Sequence, residues 1–162
     1  MNKKNILLGF VGILVLIQFI RPARNESVGV SANDITKQYL VPDNVQKVLK
    51  TSCYDCHSNN TKYPWYTNIQ PLGWWINHHI EEGKQELNFS EFATYKPKKA
   101  AHKLEEVGEA VSDHWMPLES YTLIHKDAIL SEDDTKAIAS WAKALQDTIT
   151  KTIPAGELQP HK

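Results

Sequence analysis

Arginine disappears from this 162-residue chain after Arg24, cysteine occurs only twice, and alternating runs of β-branched residues are absent. The whole chain carries 18 basic and 19 acidic side chains, a formal charge of −1, but Lys3, Lys4, Arg21 and Arg24 all lie in an acid-free start. From residue 25 onward 14 lysines face 19 carboxylates, a formal −5, which excludes a nucleic-acid binder that tracks phosphates. Seven Gly and eight Pro are too few for a low-complexity chain, and 41% hydrophobic residues are too many for a disordered one. With no strand pattern and no repeat of 20 to 50 residues, the expected class is all-α, one compact domain plus ends.

What is present begins with a nearly continuous apolar run, Ile6 to Ile20, interrupted by Gln18 and flanked by Lys3, Lys4, Arg21 and Arg24. Fifteen helical residues reach about 22 Å, short of a hydrocarbon core of roughly 30 Å, so a span needs snorkelling flanks or a thinned bilayer. Residues 1–24 are read as a signal anchor, with the N-terminus cytoplasmic by the positive-inside tendency and the rest exported. The competing outcome is cleavage after Val30-Ser31-Ala32, giving a soluble periplasmic protein. No cysteine follows the run to carry a lipid. Residues 25–40 read as a polar linker, 41–150 as the working domain and 151–162 as a flexible tail.

Four amphipathic helices are expected in that domain. Pro42 and Asp43 open the first, with Asp43 as N-cap and Val45, Val48 and Leu49 on one face. Ile76, His79, Ile80, Gly83 and Leu87 mark a second between Gly73 and Leu87. Pro97 starts a third, with Leu104, Val107, Gly108 and Val111 on its stripe. Ser131 and three following acids cap the last, whose stripe is Ile138, Trp141, Ala142 and Leu145.

The two cysteines stand in Cys53-Tyr54-Asp55-Cys56-His57, a C-x-x-C-H that a chain of this length contains by chance on the order of one time in a thousand. Two thiols three positions apart on a tight turn can each add to a vinyl group of haem, and the adjacent imidazole is then held under the iron. The expectation is one covalently attached haem c, bound through Cys53 and Cys56, with His57 as metal ligand. A redox disulfide would expect a βαβ context, and a zinc site would need a fourth ligand. Neither is legible.

Met116, the only methionine after the initiator, precedes Pro117 just before the capped last helix. A lone methionine is commonly core filler, but the order helix, C-x-x-C-H, helices, Met-Pro loop, closing helix resembles the class I cytochrome c pattern. More closely, SCYDCHSNNTKYPWYTNIQP (52–71), NFSEF (88–92) and MPLESYTLIHKDAILSEDD (116–134) resemble the haem-binding domain family of membrane-anchored, single-haem c-type proteins. The resemblance implies covalent haem at Cys53 and Cys56 and iron ligation by His57 and, by position, Met116. His79, on the apolar face of its helix, is the alternative distal ligand. His102, His114 and His125 read as surface or outer groups, and His161 lies in the tail.

The aromatics Tyr63, Trp65, Tyr66, Trp74, Trp75 and Trp115 flank the ligand segments, where they can wall a haem face or its propionates. With no arginine in the domain, Tyr66, Asn68 and Trp74 are the candidate propionate partners. Lys96, Lys98, Lys99 and Lys103 form one basic cluster, read as a solvated helix start rather than a partner surface. The resulting expectation is a non-enzymatic, membrane-tethered carrier of single electrons whose partners are membrane or periplasmic redox proteins and the bilayer. The alternative is a haem-based gas sensor or peroxidase-like protein with an open or labile distal position.

Overall fold

The computed structural model describes residues 2–154. Among them there is no strand: α1 (Lys3–Ile17), α2 (Ile35–Gln38), α3 (Asp43–Ser52), α4 (Tyr54–His57), α5 (Leu72–Glu86), α6 (Pro97–Ser112), α7 (Glu119–Thr122) and α8 (Glu132–Thr150) are joined by loops and three short 3₁₀ turns. The expected all-α class is therefore observed.

The core forms where α6 packs along α8. Ala100, Ala101, Leu104 and Val111 of α6 and Ile138, Trp141, Ala142, Leu145 and Ile149 of α8 are buried in one cluster with Val45 and Leu49 of α3 and Phe89 and Phe92. The stripes expected on these helices point inward, with one exception. Gly108 of α6 faces open space. Ser131 caps α8 in a reciprocal box: its hydroxyl accepts from the Asp134 N–H at 3.1 Å, and the Asp134 carboxylate accepts from the Ser131 N–H at 3.1 Å. Asp43 is not the cap of α3 but its first residue, behind Pro42, where its charge meets the helix dipole directly.

The segment expected to be a free linker is built into the domain. Ile35 is fully buried in the core, Asp34 caps α2 through the Thr36 N–H at 2.9 Å, and the Ala93 N–H donates to the Asn33 carbonyl. Residues 26–30 are exposed, while Asn25, Asn33 and Asp34 turn their polar groups to bonds within the domain. Likewise Ile153, assigned to the tail, is buried against the core; residues 155–162, with His161, lie outside the described residues.

A carboxylate organises this polar layer. Glu91 accepts from Asn33 Nδ2 (2.9 Å), Asn59 Nδ2 (2.7 Å) and the Ser31 hydroxyl (3.2 Å). Asn59 in turn accepts from Asn88 Nδ2 at 2.8 Å and donates its N–H to the Ser90 hydroxyl. The NFSEF block thus ties the chain just beyond His57 to the segment ahead of α2.

No helix among the described residues is long and apolar enough to cross a membrane. α1 has 15 residues, none of them buried.

The hydrogen bond from Asn33 first, and those from Asn59 and Ser31, hold the Glu91 carboxyl below its ordinary range. Its contribution to stability is thus complete above the unfolded carboxyl value and lost as the pH falls through the depressed folded one. Glu91→Gln is expected to lower the melting temperature by a few degrees at pH 7, with the gap to the parent closing below about pH 4; thermal denaturation across pH 3 to 7 measures both.

Candidate functional site

Helix α3 stops at Ser52 because Cys53 leaves helical geometry (φ −125°, ψ −39°), and the chain restarts as the single turn α4. The Cys56 and His57 N–H groups both donate to the Cys53 carbonyl, at 3.2 and 2.9 Å. Cys53 and Cys56 are both free thiols. Burial pushes the Cys53 thiol up to about 12 and the Cys56 thiol up to about 11, so both stay protonated at neutral pH. A neutral thiol is a poor nucleophile for disulfide exchange.

The turn is pressed onto α5 at Gly83. A Cβ there would stand 2.9 Å from the Cys56 carbonyl oxygen and 3.1 Å from its Cβ, so only glycine permits this approach. One turn further, α5 ends, and the Leu87 carbonyl lies 3.0 Å from His57 Nδ1. A carbonyl only accepts, so Nδ1 carries the proton and the neutral ring keeps its lone pair at Nε2. Burial lowers the His57 pKa, favouring that neutral form.

Beside the turn lies an open cleft between α5, residues 61–67 and residues 118–125. Cys56, Leu72, Trp75, Ile76 and Leu118 give it a largely apolar lining, and Tyr66, His79, Tyr121 and His125 its polar edges. The Tyr121 hydroxyl donates to Asp55 Oδ2 at 2.8 Å; burial first, then the Asp55 charge, raises its pKa. His125 stacks on Tyr121 with ring centroids 4.1 Å apart. Its Nδ1 donates to the Tyr121 carbonyl at 3.1 Å, so Nε2 accepts from the Tyr66 hydroxyl at 3.0 Å. His79 meets the edge of Trp75 at 4.5 Å.

Of the residues singled out in the sequence, Cys56, Tyr66 and His79 line the cleft, while Cys53, His57 and Met116 do not. Met116 is half-buried on the loop between α6 and α7 and donates its N–H to the Ala110 carbonyl at 3.2 Å; Leu118, two residues on, reaches the rim. Asn68 and Trp74 are placed elsewhere. Asn68 Oδ1 accepts from Arg24 at 3.0 Å, and the Trp74 indole donates to the Ile20 carbonyl at 2.7 Å, because the chain after α1 lies along them. Tyr63 belongs to the same seam: its hydroxyl accepts from the Asn25 N–H, and the Arg24 guanidinium sits over its ring.

His125, expected among the outer groups, lies on the cleft wall. Its spacing from Tyr121 places both rings on one helical face, but the intervening turn Leu123-Ile124 hides that signal. His102 and His78 pair with glutamates of their own helices on the surface, and His114 is exposed in a left-handed turn (φ 59°). In the lysine cluster, Lys103 bonds Glu86 and Glu106 and Lys99 covers the Tyr95 ring. Among the described residues no three His, Cys, Asp or Glu side chains converge on a metal-sized site, so nothing completes Cys53, Cys56 and His57 into a zinc cage.

A family profile described as the haem-binding domain matches residues 12–144. The chain belongs to the haem-binding domain family. No curated protein and no solved structure gives a significant match. The match runs from within α1 into α8 and so includes the segment 18–40. The residues present suit a haem in part: an apolar cleft reaches Cys56 and the His57 Nδ1 is anchored, leaving Nε2 free to bind a metal, while Cys53 and His57 stand outside the cleft lining.

Close packing at Gly83 can be checked against Gly108, which meets nothing within 4 Å. Gly108→Ala is expected to stabilise the protein by about 0.5–1 kcal/mol through helix propensity alone. Gly83→Ala is expected to destabilise it by about 1–3 kcal/mol through overpacking against Cys56 and to lower the haem-to-chain ratio. Urea unfolding and pigment absorbance on the two variants read both effects.

Proposed function

We propose that this haem-binding domain is an exported, membrane-tethered, single-haem c-type cytochrome that relays one electron at a time. The observation that carries the reading is the His57 Nδ1 to Leu87 carbonyl bond at the end of a C-x-x-C-H turn with free thiols. That bond fixes the tautomer and the ring plane of the imidazole and raises the basicity of the other nitrogen, as an outer-shell acceptor does for a metal-bound histidine.

Cys53 and Cys56 would each add S–H across a vinyl C=C, forming a C–S bond while the hydrogen passes to the neighbouring carbon. No oxidant is consumed, and reduced cysteines, not a disulfide, are the form required. His57 would hold the iron, and Met116, on the loop that carries Leu118 to the cleft rim, would be its second ligand. When bound, the haem supplies an iron that changes charge by one electron and returns. The chain's own part is to saturate the iron, keep water away with Leu72, Trp75 and Ile76, and offer Tyr66 and His125 to the polar edge. A saturated iron relays and does not turn over a substrate, and thioether ligation raises the potential relative to a bis-imidazole site.

α1 is the tether in this reading: Lys3 and Lys4 stay on the cytoplasmic side, and the domain faces the exported side, where membrane or periplasmic redox proteins are its partners. Confinement near them raises effective concentration. A second ligand set is favoured by one observation: His79 lines the cleft and Met116 does not.

The test is expression with a c-type maturation system. Intact mass is expected to rise by one haem that survives acid–acetone extraction, and to retain residues 1–24 if the anchor is uncleaved. The oxidised protein is expected to show the long-wavelength iron–sulfur charge-transfer band, lost in Met116→Ala and kept in His79→Ala. The reverse pattern assigns His79, a high-spin spectrum in the parent supports the gas-binding or peroxidase-like alternative, and a colourless protein with alkylatable thiols refutes the reading.

A further inference from the structure

The end of the apolar helix is clasped to the domain. Gln18 Nε2 donates to the Gln70 carbonyl at 3.0 Å, and the Gln70 N–H returns a bond to Gln18 Oε1 at 2.9 Å. Gln70 itself is 3% exposed. Two residues further along α1's extension, the Ile20 carbonyl takes the Trp74 indole N–H at 2.7 Å. On either side of this clasp, Trp65 (75% exposed) and Ile69 (47%) stand open, and Leu72 (38%) and Trp75 (46%), which also wall the cleft, keep part of their surface exposed. Scattered apolar residues need no explanation, but here two tryptophans and two aliphatics fall within eleven residues beside the end of an apolar helix.

We propose that this face, Trp65, Ile69, Leu72 and Trp75, seats in the headgroup layer of the bilayer, fixing the cleft mouth at the membrane surface. The proposal rests on the reading of α1 as a bilayer helix. Its own argument is geometric. A helix of 15 residues spans about 22 Å, several ångströms less than a typical hydrocarbon core. Apolar surface hydrogen-bonded to the end of a short span cannot stay in bulk water while that span is centred in the bilayer, and drawing it inward relieves the mismatch. The composition suits that depth: indole rings prefer the interface, and exposed Arg21, beside the clasp, meets headgroup phosphates. Leu72 and Trp75 also line the cleft, so the cofactor's edge would face partners diffusing in the plane of the membrane.

The full-length, haem-loaded protein is reconstituted into vesicles of phosphatidylcholine and phosphatidylglycerol carrying traces of two photoreactive phospholipids. One bears its diazirine near the glycerol, the other at the end of an acyl chain, and adducts are mapped by peptide mass spectrometry. The expected result is acyl-end label on residues 3–17 together with glycerol-level label on residues 65–75. The double variant W65S/I69S, at two positions off the cleft lining, is expected to keep its haem spectrum and lose the glycerol-level label several-fold. Label on α1 without label on 65–75, chain-to-chain crosslinks at 65–75 in its place, or undiminished label in the variant overturns the inference and leaves the anchor standing. Absence of label on α1 overturns the anchor, and the inference with it.

Discussion

The proposed haem site depends on how closely one turn of chain can approach one helix. The Cys53–His57 turn has no long helix of its own to steady it, and its orientation comes from α5: Gly83 lets the Cys56 backbone come into contact, and the carbonyl left free at Leu87 captures His57 Nδ1. Helix ends leave carbonyls without intrahelical partners. Here one of them serves as the acceptor that selects an imidazole tautomer. Remove the close approach and the acceptor is out of reach, whatever the C-x-x-C-H spacing says.

Around this contact the protein uses amides and hydroxyls where arginines are lacking. Asn25, Asn59, Asn88, Ser90 and Glu91 link the chain before α2, the loop after His57 and the turn after α5 into one network. Fully partnered polar networks of this kind specify one arrangement more sharply than apolar contact does, since each unmade bond carries a desolvation penalty. The same network explains why the segment after α1 is not a loose leash. Asn25 alone bonds the Ser58 carbonyl, the Thr61 hydroxyl and Lys84.

The cleft has two characters. Toward α5 it is apolar, with Leu72, Trp75 and Ile76; toward residues 118–125 it is a stack of Tyr121 and His125 bonded onward to Asp55 and Tyr66. Such a division suits a flat cofactor with one greasy and one charged edge. It also leaves two imidazoles, His79 and His125, on the walls of the space.

Much of this was legible in the residues. Pro97 and Ser131 marked helix starts, because proline and capping hydroxyls act within one turn of chain, and C-x-x-C-H stood out as a motif because both thiols and the imidazole are adjacent in sequence. The family follows from that motif with its flanking blocks. What only the tertiary structure decided involves partners far apart in the chain: that Ile35 belongs to the core, that Asn68 and Trp74 bond the segment after α1 and not the cleft, that His125 lines the wall, and that Leu87 holds His57 across thirty positions. Periodicity and capping report forces that act over one or two turns. A hydrogen bond between remote segments leaves no periodic trace, since any asparagine, tryptophan or backbone carbonyl can serve, and folding alone determines which of them meet.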